Sequence, residues 1–468
     1  MSALSSSNVL ARGTRAAPGV RRGVAAALVL ALEAVAAAAA VTRPLPALAL
    51  AIAAAGVVVA LLRPGLVGAA GLVALALVPV YSAPKVGPID AHPAVLAFWL
   101  CAFGAGVTLI ARRERIGVSA IDMAVGLFLL STLFSVYDGG PTRTDWISFT
   151  FPWLGSYLGM RLLLAHERRP DWLPRMFVFS ALLVVPFALY EWLTGDNVFF
   201  RFVVNGAAGE LWATSQDRLG TARVEASFGH AIALGMFVAS AFVFSIALAA
   251  HEQRRRVRWA WLVCGLVLLA VLAITVSRTG WVTAGVGVVL LALGPADRRG
   301  RRWLTGFIAV AIACTALLAV AVPRESVGPT QLLSGSGTST ELQNSDNWRL
   351  ALLERAVTSD RLGLFGNRGV DLTTGLSAGD HSIDNAYLAI ANDWGVSGMA
   401  MLALVALTLA LAVWQSRLAG ICGSVAVVAF ANFTALLFVA FITQQAFYIW
   451  ALAGAAAAIA ARLRVQSR

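Results

Sequence analysis

Apolar blocks, most of them roughly 20 residues long, alternate along the chain with short polar segments. Because a helix needs about 20 apolar residues to cross a bilayer core, this pattern predicts an all-α integral membrane protein with about 14 transmembrane helices (12–14). The predicted spans are 23–41, 44–62, 66–83, 93–111, 118–136, 146–165, 176–194, 230–250, 259–276, 281–294, 303–322, 395–414, 420–438 and 445–462. The first block follows the basic residues 1–22 and fits a retained helix better than a cleaved signal peptide.

The composition agrees with a membrane protein and excludes several other classes. Of the 468 residues, 59% are hydrophobic and only 13% are charged, whereas a soluble domain carries about 25% charged residues. A soluble enzyme, a disordered chain and a secreted disulfide scaffold are therefore excluded. The formal net charge of +12 lies in short arginine-rich runs between apolar blocks, which indicates membrane orientation and no nucleic-acid partner.

The arginine runs occupy every second loop, starting from the N-terminus. Since positively charged loops stay in the cytoplasm, both termini are predicted to be cytoplasmic in a multi-pass protein of the cell inner membrane. The predicted segments are a cytoplasmic N-terminus (1–22), N-terminal transmembrane helices (23–194), a first extracytoplasmic loop (195–229), central transmembrane helices (230–322), a large extracytoplasmic loop (323–394), C-terminal transmembrane helices (395–462) and a cytoplasmic tail (463–468).

The large loop 323–394 is the segment most suited to carry function, because loops this long in a compact protein are usually functional. Within it, residues 347–358 repeat apolar positions at helical spacing after a capping Asp346, which predicts a short helix. The chemistry is therefore expected on the outer side of the membrane.

The first candidate for chemistry is Arg278, which lies in a tight turn between two apolar spans. Positive charge is otherwise sparse on this predicted outer side. A guanidinium there suits the binding of a phosphate, because its planar fork of donors matches the phosphate oxygens. The alternative is a side chain that extends to lipid headgroups at the membrane boundary.

A second candidate segment, 218–230, leads into the eighth predicted span. Arg218 and Arg223 lie five residues apart among glycines, an arrangement that suits a pyrophosphate. The alternative is a solvated loop in which both arginines pair with neighbouring carboxylates. His230 begins an apolar helix, where it either binds substrate or, more commonly, caps the helix.

The third candidate is the pair formed by His381 and Asp384, which lie three residues apart. On a helix they share one face, and a carboxylate beside an imidazole is a common general-base arrangement. The alternative is that Asp384 is a helix cap. The histidines and cysteines show no metal-ligand spacing, so neither a metal nor a cofactor is predicted.

In their order along the chain, these segments resemble the O-antigen ligase and O-antigen polymerase family of bacterial polytopic membrane glycosyltransferases. The resemblance runs over residues 145–440. Its motifs are 190–195 (Tyr-Glu-Trp-Leu-Thr-Gly), 223–235 (Arg, then Phe-Gly-His-x-Ile-Ala-Leu-Gly), 277–281 (Ser-Arg-Thr-Gly-Trp), Arg349, 364–369 (Leu-Phe-Gly-Asn-Arg-Gly) and 385–388 (Asn-Ala-Tyr-Leu). The ligase pattern has His before the Asn, whereas here Asp384 precedes Asn385, which favours a polymerase-like member of exopolysaccharide type and leaves the base open.

The resemblance implies transfer of a glycan from undecaprenyl pyrophosphate, or another polyprenyl pyrophosphate, to a hydroxyl of a glycan or lipid-linked acceptor. It implies an inverting, metal-independent reaction that polymerises or ligates a surface polysaccharide of the cell envelope, such as O-antigen or exopolysaccharide. Arg278 and either Asp384 or His381 are then catalytic. The residues expected to bind the pyrophosphate or the glycan are Arg218, Arg223, Arg278, His230, Arg349, Asn385 and Tyr387.

A different class of function is a transporter, such as a flippase for lipid-linked oligosaccharides. Transporters of this kind place charged residues within the membrane and often show paired halves. This sequence instead concentrates its arginines and its His/Asp pair on predicted outer loops, which favours the enzyme. A structural anchor or sensor explains neither the outer arginines nor the long loop.

Overall fold

The computed structural model describes residues 55–138, 140–167, 170–203, 217–218, 221–294, 351–352, 354–356, 362–366, 383, 385–416 and 419–466. Within these ranges the longer helices are α1 (Pro64–Leu77), α2 (Pro93–Ala111), α3 (Ala120–Tyr137), α4 (Arg143–His166), α5 (Trp172–Thr194), α6 (Ala231–His251), α7 (Arg255–Ile274), α8 (Arg278–Leu293), α9 (Ala386–Gln415), α10 (Gly423–Ala435) and α11 (Gln445–Gln466). Two antiparallel hairpins join β1 (Lys85–Val86) to β2 (Ile89–Asp90) and β3 (Asp217–Arg218) to β4 (Thr221–Ala222).

These helices bear out the prediction of a helical membrane protein. In the described ranges, seven helices are long and apolar enough to cross a membrane, namely α2, α3, α5, α6, α7, α9 and α11. Shorter apolar helices are α1, α8 and the segment Gly420–Ala435 that contains α10, while α4 coincides with the predicted span 146–165. The spans predicted at 23–41 and 303–322, and most of 44–62, lie outside the described residues, so the total of about 14 stays a prediction.

Helix α9 is interrupted at Gly395, whose φ of 82° and ψ of 173° are not helical. A glycine fits this position because residues with a Cβ rarely adopt such a positive φ. The amides of residues 396 and 397 donate to the carbonyls of residues 363 and 364, at 3.0 Å each. The break falls where the span 395–414 is predicted to begin, and its hydrogen bonds fix residues 363 and 364 to the bundle.

Of the seven candidate spans, α6 and α11 are the most enclosed, because 94% and 89% of their most apolar 18-residue stretch is buried. Several polar side chains among the packed helices are hydrogen-bonded to one another, as burial away from water favours. Asn432 Nδ2 donates to Ser240 Oγ at 2.8 Å. Asp122 accepts from Arg161 Nε and from the Tyr157 hydroxyl, each at 2.7 Å.

The two ends of the helix bundle differ in content. One end, the motif end, holds the starts of α6, α8 and α9 together with residues 223–230, 275–278 and 385–388. The basic end holds residues 112–115, 254–256 and 462–464. Hydrogen bonds join separate helices at each end: Gln444 Nε2 donates to the Val78 carbonyl at 2.7 Å at the motif end, and Arg462 Nη2 donates to the Ala165 carbonyl at 3.0 Å at the basic end.

Candidate functional site

The start of α6 is held in place by a carboxylate from α5. Glu191 accepts hydrogen bonds from the backbone amides of Ala226, at 2.7 Å, and Glu225, at 3.2 Å. Asn197 Nδ2 reinforces this link, because it donates to Glu191 Oε1 at 3.2 Å and to the Ala226 carbonyl at 3.0 Å. These bonds fix the turn that leads to His230.

The same turn is tied to the core from its other side. The Ser227 hydroxyl donates to the Ala76 carbonyl, and Gln444 Nε2 donates to the Ser227 carbonyl at 3.0 Å. His92 Nε2 lies 2.8 Å from the Val78 carbonyl, which Gln444 also contacts. Helices α1 and α5 and the residue that precedes α11 therefore converge on one short segment, and binding groups are positioned best when a rigid surround holds them.

A tight turn connects α7 to α8, as the sequence predicts. Helix α7 ends at Ile274 and α8 begins at Arg278, with Ser277 as the N-cap whose Oγ accepts from the Gly280 amide at 3.2 Å. Val276 has a φ of 51°, which is rare for a β-branched residue. Backbone strain of this kind persists only where the surroundings impose it, and it clusters at functional sites.

The guanidinium of Arg278 points into the protein. Its Nε and Nη2 atoms are buried, and neither has a hydrogen-bond acceptor among the described residues. These two atoms form the edge by which an arginine binds two oxygens at once. In Arg161 the same edge donates to both carboxylate oxygens of Asp122, at 2.7 and 2.9 Å. The burial of this edge argues against an arginine that merely extends to lipid headgroups.

Arg223 lies against the same turn. The side chain is only 7% exposed, and its Nε is 3.5 Å from the carbonyl of Thr275, three residues before Arg278. The structure thus brings together two of the arginines that the sequence singles out. Two guanidinium groups at one turn suit an anion with more than one phosphate.

Two glycines allow these motif segments to meet. A Cβ at Gly235 would lie 2.7 Å from the Cβ of Ser277, and a Cβ at Gly280 would lie 2.9 Å from backbone atoms of Gly235. Ordinary van der Waals contacts of a Cβ are 3.4–4 Å, so only glycines let α6 and α8 approach this closely. Both glycines belong to motif segments, 223–235 and 277–281. The close contact between α6 and α8 explains why neither position has a Cβ.

His230 is the N-cap of α6. Its Nδ1 accepts from the Ile232 amide at 3.1 Å, so the capping alternative is realised. Burial, and after it the charge of Arg223, lowers the pKa of His230 to about 3. The imidazole is therefore neutral at physiological pH and positions the start of α6. Its contact with substrate stays a prediction.

Asn385 and Tyr387 anchor the start of α9. Asn385 Oδ1 accepts from the amides of Tyr387 and Leu388, at 2.9 and 3.2 Å, and its Nδ2 donates to the Leu437 carbonyl at 2.9 Å. The Tyr387 hydroxyl donates to the Phe433 carbonyl at 3.1 Å. These contacts give both residues a structural role, and glycan binding by either of them stays a prediction.

Other predicted site residues cannot be compared with the geometry. Arg349, His381 and Asp384 lie outside the described residues, and only the backbone of Arg218, in β3, is described. The identity of the base therefore rests on the sequence, although Asp384 directly precedes the anchored Asn385. Within the described part of the chain, no group of three His, Cys, Asp or Glu side chains is arranged to hold a metal ion.

Glu191 and Tyr81 contribute to this end of the bundle, although no site role is predicted for them from sequence. The Tyr81 hydroxyl is buried without a hydrogen-bond partner among the described residues. Burial raises its pKa, and the charges of Glu225 and Glu191 raise it further. A carboxylate in the last turn of an apolar helix is expensive, and this is the signal in the sequence that points to Glu191.

The site thus consists of a buried, bidentate arginine edge, a second buried arginine and a rigidly held turn. This arrangement can bind a multiply charged anion and stabilise negative charge that develops on it. Comparison of the chain with models of protein families and with curated proteins finds no match.

Proposed function

We propose that the protein is a membrane glycosyltransferase that uses a polyprenyl-pyrophosphate-linked glycan as donor. The supporting observation is the buried Nε–Nη2 edge of Arg278, which has no acceptor among the described residues and lies on the turn that Arg223 contacts. A buried charge left without a partner is strongly destabilising, so an anion is the expected partner. A pyrophosphate presents two charged groups to two guanidiniums.

The reaction that follows from this arrangement is a displacement at the anomeric carbon. The acceptor hydroxyl gives its proton to Asp384 or His381, and its oxygen forms the new glycosidic bond with inversion. The bond between the anomeric carbon and the pyrophosphate oxygen breaks, and the electron pair leaves with the polyprenyl pyrophosphate. Arg278 and Arg223 stabilise this charge without having to reorganise, which is the largest advantage of fixed donors in a dry site.

Asp384, which stands where the ligase pattern has a histidine, favours a polymerase over a ligase. A polymerase adds repeat units to a lipid-linked glycan, whereas a ligase attaches the finished glycan to a different acceptor. In both cases the site is expected on the extracytoplasmic side, and the support for this is the arginine distribution, which favours a cytoplasmic position for both termini and the basic end.

The direct test is incubation of the purified protein with a synthetic polyprenyl-pyrophosphate oligosaccharide and candidate acceptors. A ladder of products identifies a polymerase, and a single addition to a foreign acceptor identifies a ligase. Absence of transfer, combined with movement of the lipid-linked donor across proteoliposomes, contradicts the proposal and favours the flippase.

A further inference from the structure

A cavity of about 530 Å³ opens at the basic end of the bundle, far from the arginines of the motif end. The last turns of α2 and α11, the end of α4 and the connection from α2 to α3 form its walls. The charged residues that line it are Arg112, Arg115, Arg161, Arg462 and Glu114. Four guanidiniums line the cavity against one carboxylate, and although Asp122 neutralises Arg161 from behind the wall, the lining keeps a net positive charge.

The arginines of this cavity differ in how many contacts their guanidinium groups make with the rest of the protein. Arg161 is paired with Asp122 behind the cavity wall, and Arg462 donates to the Ala165 and Glu167 carbonyls. Arg112, by contrast, has only a 3.5 Å contact with Glu114, and both side chains of this pair are exposed. An exposed ion pair of this length contributes little to stability.

Arg115 has no hydrogen bond or ion pair with any residue that the structure describes. It is exposed, as is Arg112, so neither guanidinium is needed to hold the fold. These two side chains are therefore available to a ligand at the rim, while Arg462, which donates only to backbone carbonyls, supplies a fixed positive charge further in. Guanidinium groups bind phosphate oxygens through paired, charge-assisted hydrogen bonds.

Apart from His166, the rest of the lining is apolar. Ile116 is 41% exposed and Val465 is 67% exposed, and Leu109, Ala458 and Ala461 complete the surface. Val465 lies in the last turn of α11 and Leu109 lies in the last turn of α2. The cavity is therefore found where two candidate membrane spans end. A soluble phosphate makes no use of such a surface, whereas the glycerol backbone and upper acyl chains of a phospholipid do.

We propose that this cavity binds the headgroup of an anionic phospholipid, with its phosphate against the arginines and its chains along Ile116 and Val465. Basic pockets between membrane helices on the cytoplasmic side have the chemistry for such headgroups. The inference does not depend on the transferase proposal, because it concerns a separate cavity at the opposite end of the bundle.

The test is lipid retention by the full-length protein, measured by native mass spectrometry after reconstitution in nanodiscs of phosphatidylglycerol and phosphatidylcholine. The wild type should retain one phosphatidylglycerol in preference to phosphatidylcholine. The double variant Arg112→Gln/Arg115→Gln should bind it about 30-fold more weakly, if each arginine contributes what a basic residue near a membrane surface typically does. Size-exclusion chromatography verifies that the variant is folded.

The matched control is Arg255→Gln/Arg256→Gln, which removes the same charge from exposed positions at the same end but outside the cavity. This control should retain the lipid as the wild type does. An equal loss in both double variants would mean general attraction to the surface and overturn the proposal. Displacement of the lipid by millimolar glycerol 3-phosphate would reassign the cavity to soluble phosphates, and equal retention of phosphatidylcholine would contradict an anionic site.

Discussion

Replacement of Gly280 by alanine should separate the two motif segments that form the candidate site. The new Cβ would lie 2.6 Å from Leu272 Cδ1 and 2.9 Å from backbone atoms of Gly235, against ordinary contacts of 3.4–4 Å. Relief of this overlap requires a shift of the start of α8 by roughly 0.5–1 Å, at a cost of about 1–3 kcal/mol for overpacking. Arg278, two residues earlier on the same turn, moves with it.

The expected result is a loss of transfer that exceeds the loss of stability. A displacement of about 1 Å in a positioned group can reduce the rate by about 10²-fold, so Gly280→Ala should keep its fold and lose most of its activity. The control is Gly285→Ala in the same helix, where a Cβ meets nothing within 4 Å. The control should be as active as the wild type and up to about 1 kcal/mol more stable, because alanine favours helix.

Transfer rates with the synthetic donor and melting temperatures of both purified variants provide the comparison. If Gly280→Ala transfers glycan as fast as Gly285→Ala, the close approach of α6 and α8 does not position Arg278, and the reasoning from packing to site is wrong.

Three further predictions concern topology, the base and acid stability. In a cysteine-free background, Lys85→Cys should be labelled from outside the cell and Arg255→Cys only from the cytoplasm; the reverse would invert the orientation of the site. If Asp384 is the base, Asp384→Asn should abolish transfer but not donor binding, and His381→Ala should stay active. If His381 is the base, His381→Ala should lose more activity than Asp384→Asn, and the wild-type rate should fall as the pH drops below about 6.5. The pKa of His230 is about 3 in the folded protein and about 6.5 in the unfolded chain. Below pH 6.5 the unfolded chain therefore takes up a proton that the folded protein does not, and the free energy of unfolding falls as the pH falls. His230→Asn, which retains a capping side chain, should reduce that loss between pH 7 and 5 by up to about 2 kcal/mol, and an unchanged pH dependence in thermal unfolding would contradict the buried, neutral imidazole.

The architecture could be predicted from sequence because apolar blocks long enough to span a bilayer have few alternatives to helix. The span predicted at 93–111 coincides with α2, and the short connection before Arg278 follows from the small gap between two apolar blocks. The helical turns of α9 between Ala386 and the break at Gly395 lie outside the predicted span 395–414, because the apolar pattern marks only the membrane-spanning part.

The internal geometry of the site could be predicted only in part. Charge and spacing are sufficient to single out Arg223 and Arg278, but not to show that Arg223 contacts the turn before Arg278, since that contact depends on how α6 packs against α7 and α8. The carboxylate of Glu191 holds the 225–226 turn through backbone amides, which leave no trace in the sequence. For the same reason, the anchoring roles of Asn385 and Tyr387 depend on carbonyls of a distant segment.

We infer that Arg278 binds the leaving pyrophosphate through two parallel hydrogen bonds, a claim that the kinetics of glycan transfer can contradict. Glycan transfer from a synthetic polyprenyl-pyrophosphate donor is measured for the wild type, Arg278→Ala, Arg278→Lys and the exposed control Arg201→Ala. The claim predicts a rate reduced by about 10²–10³-fold in Arg278→Ala, the loss typical of one fixed donor. It also predicts only partial recovery in Arg278→Lys, whose point charge lacks the fork, and a normal rate in Arg201→Ala. A wild-type rate in Arg278→Ala would contradict it.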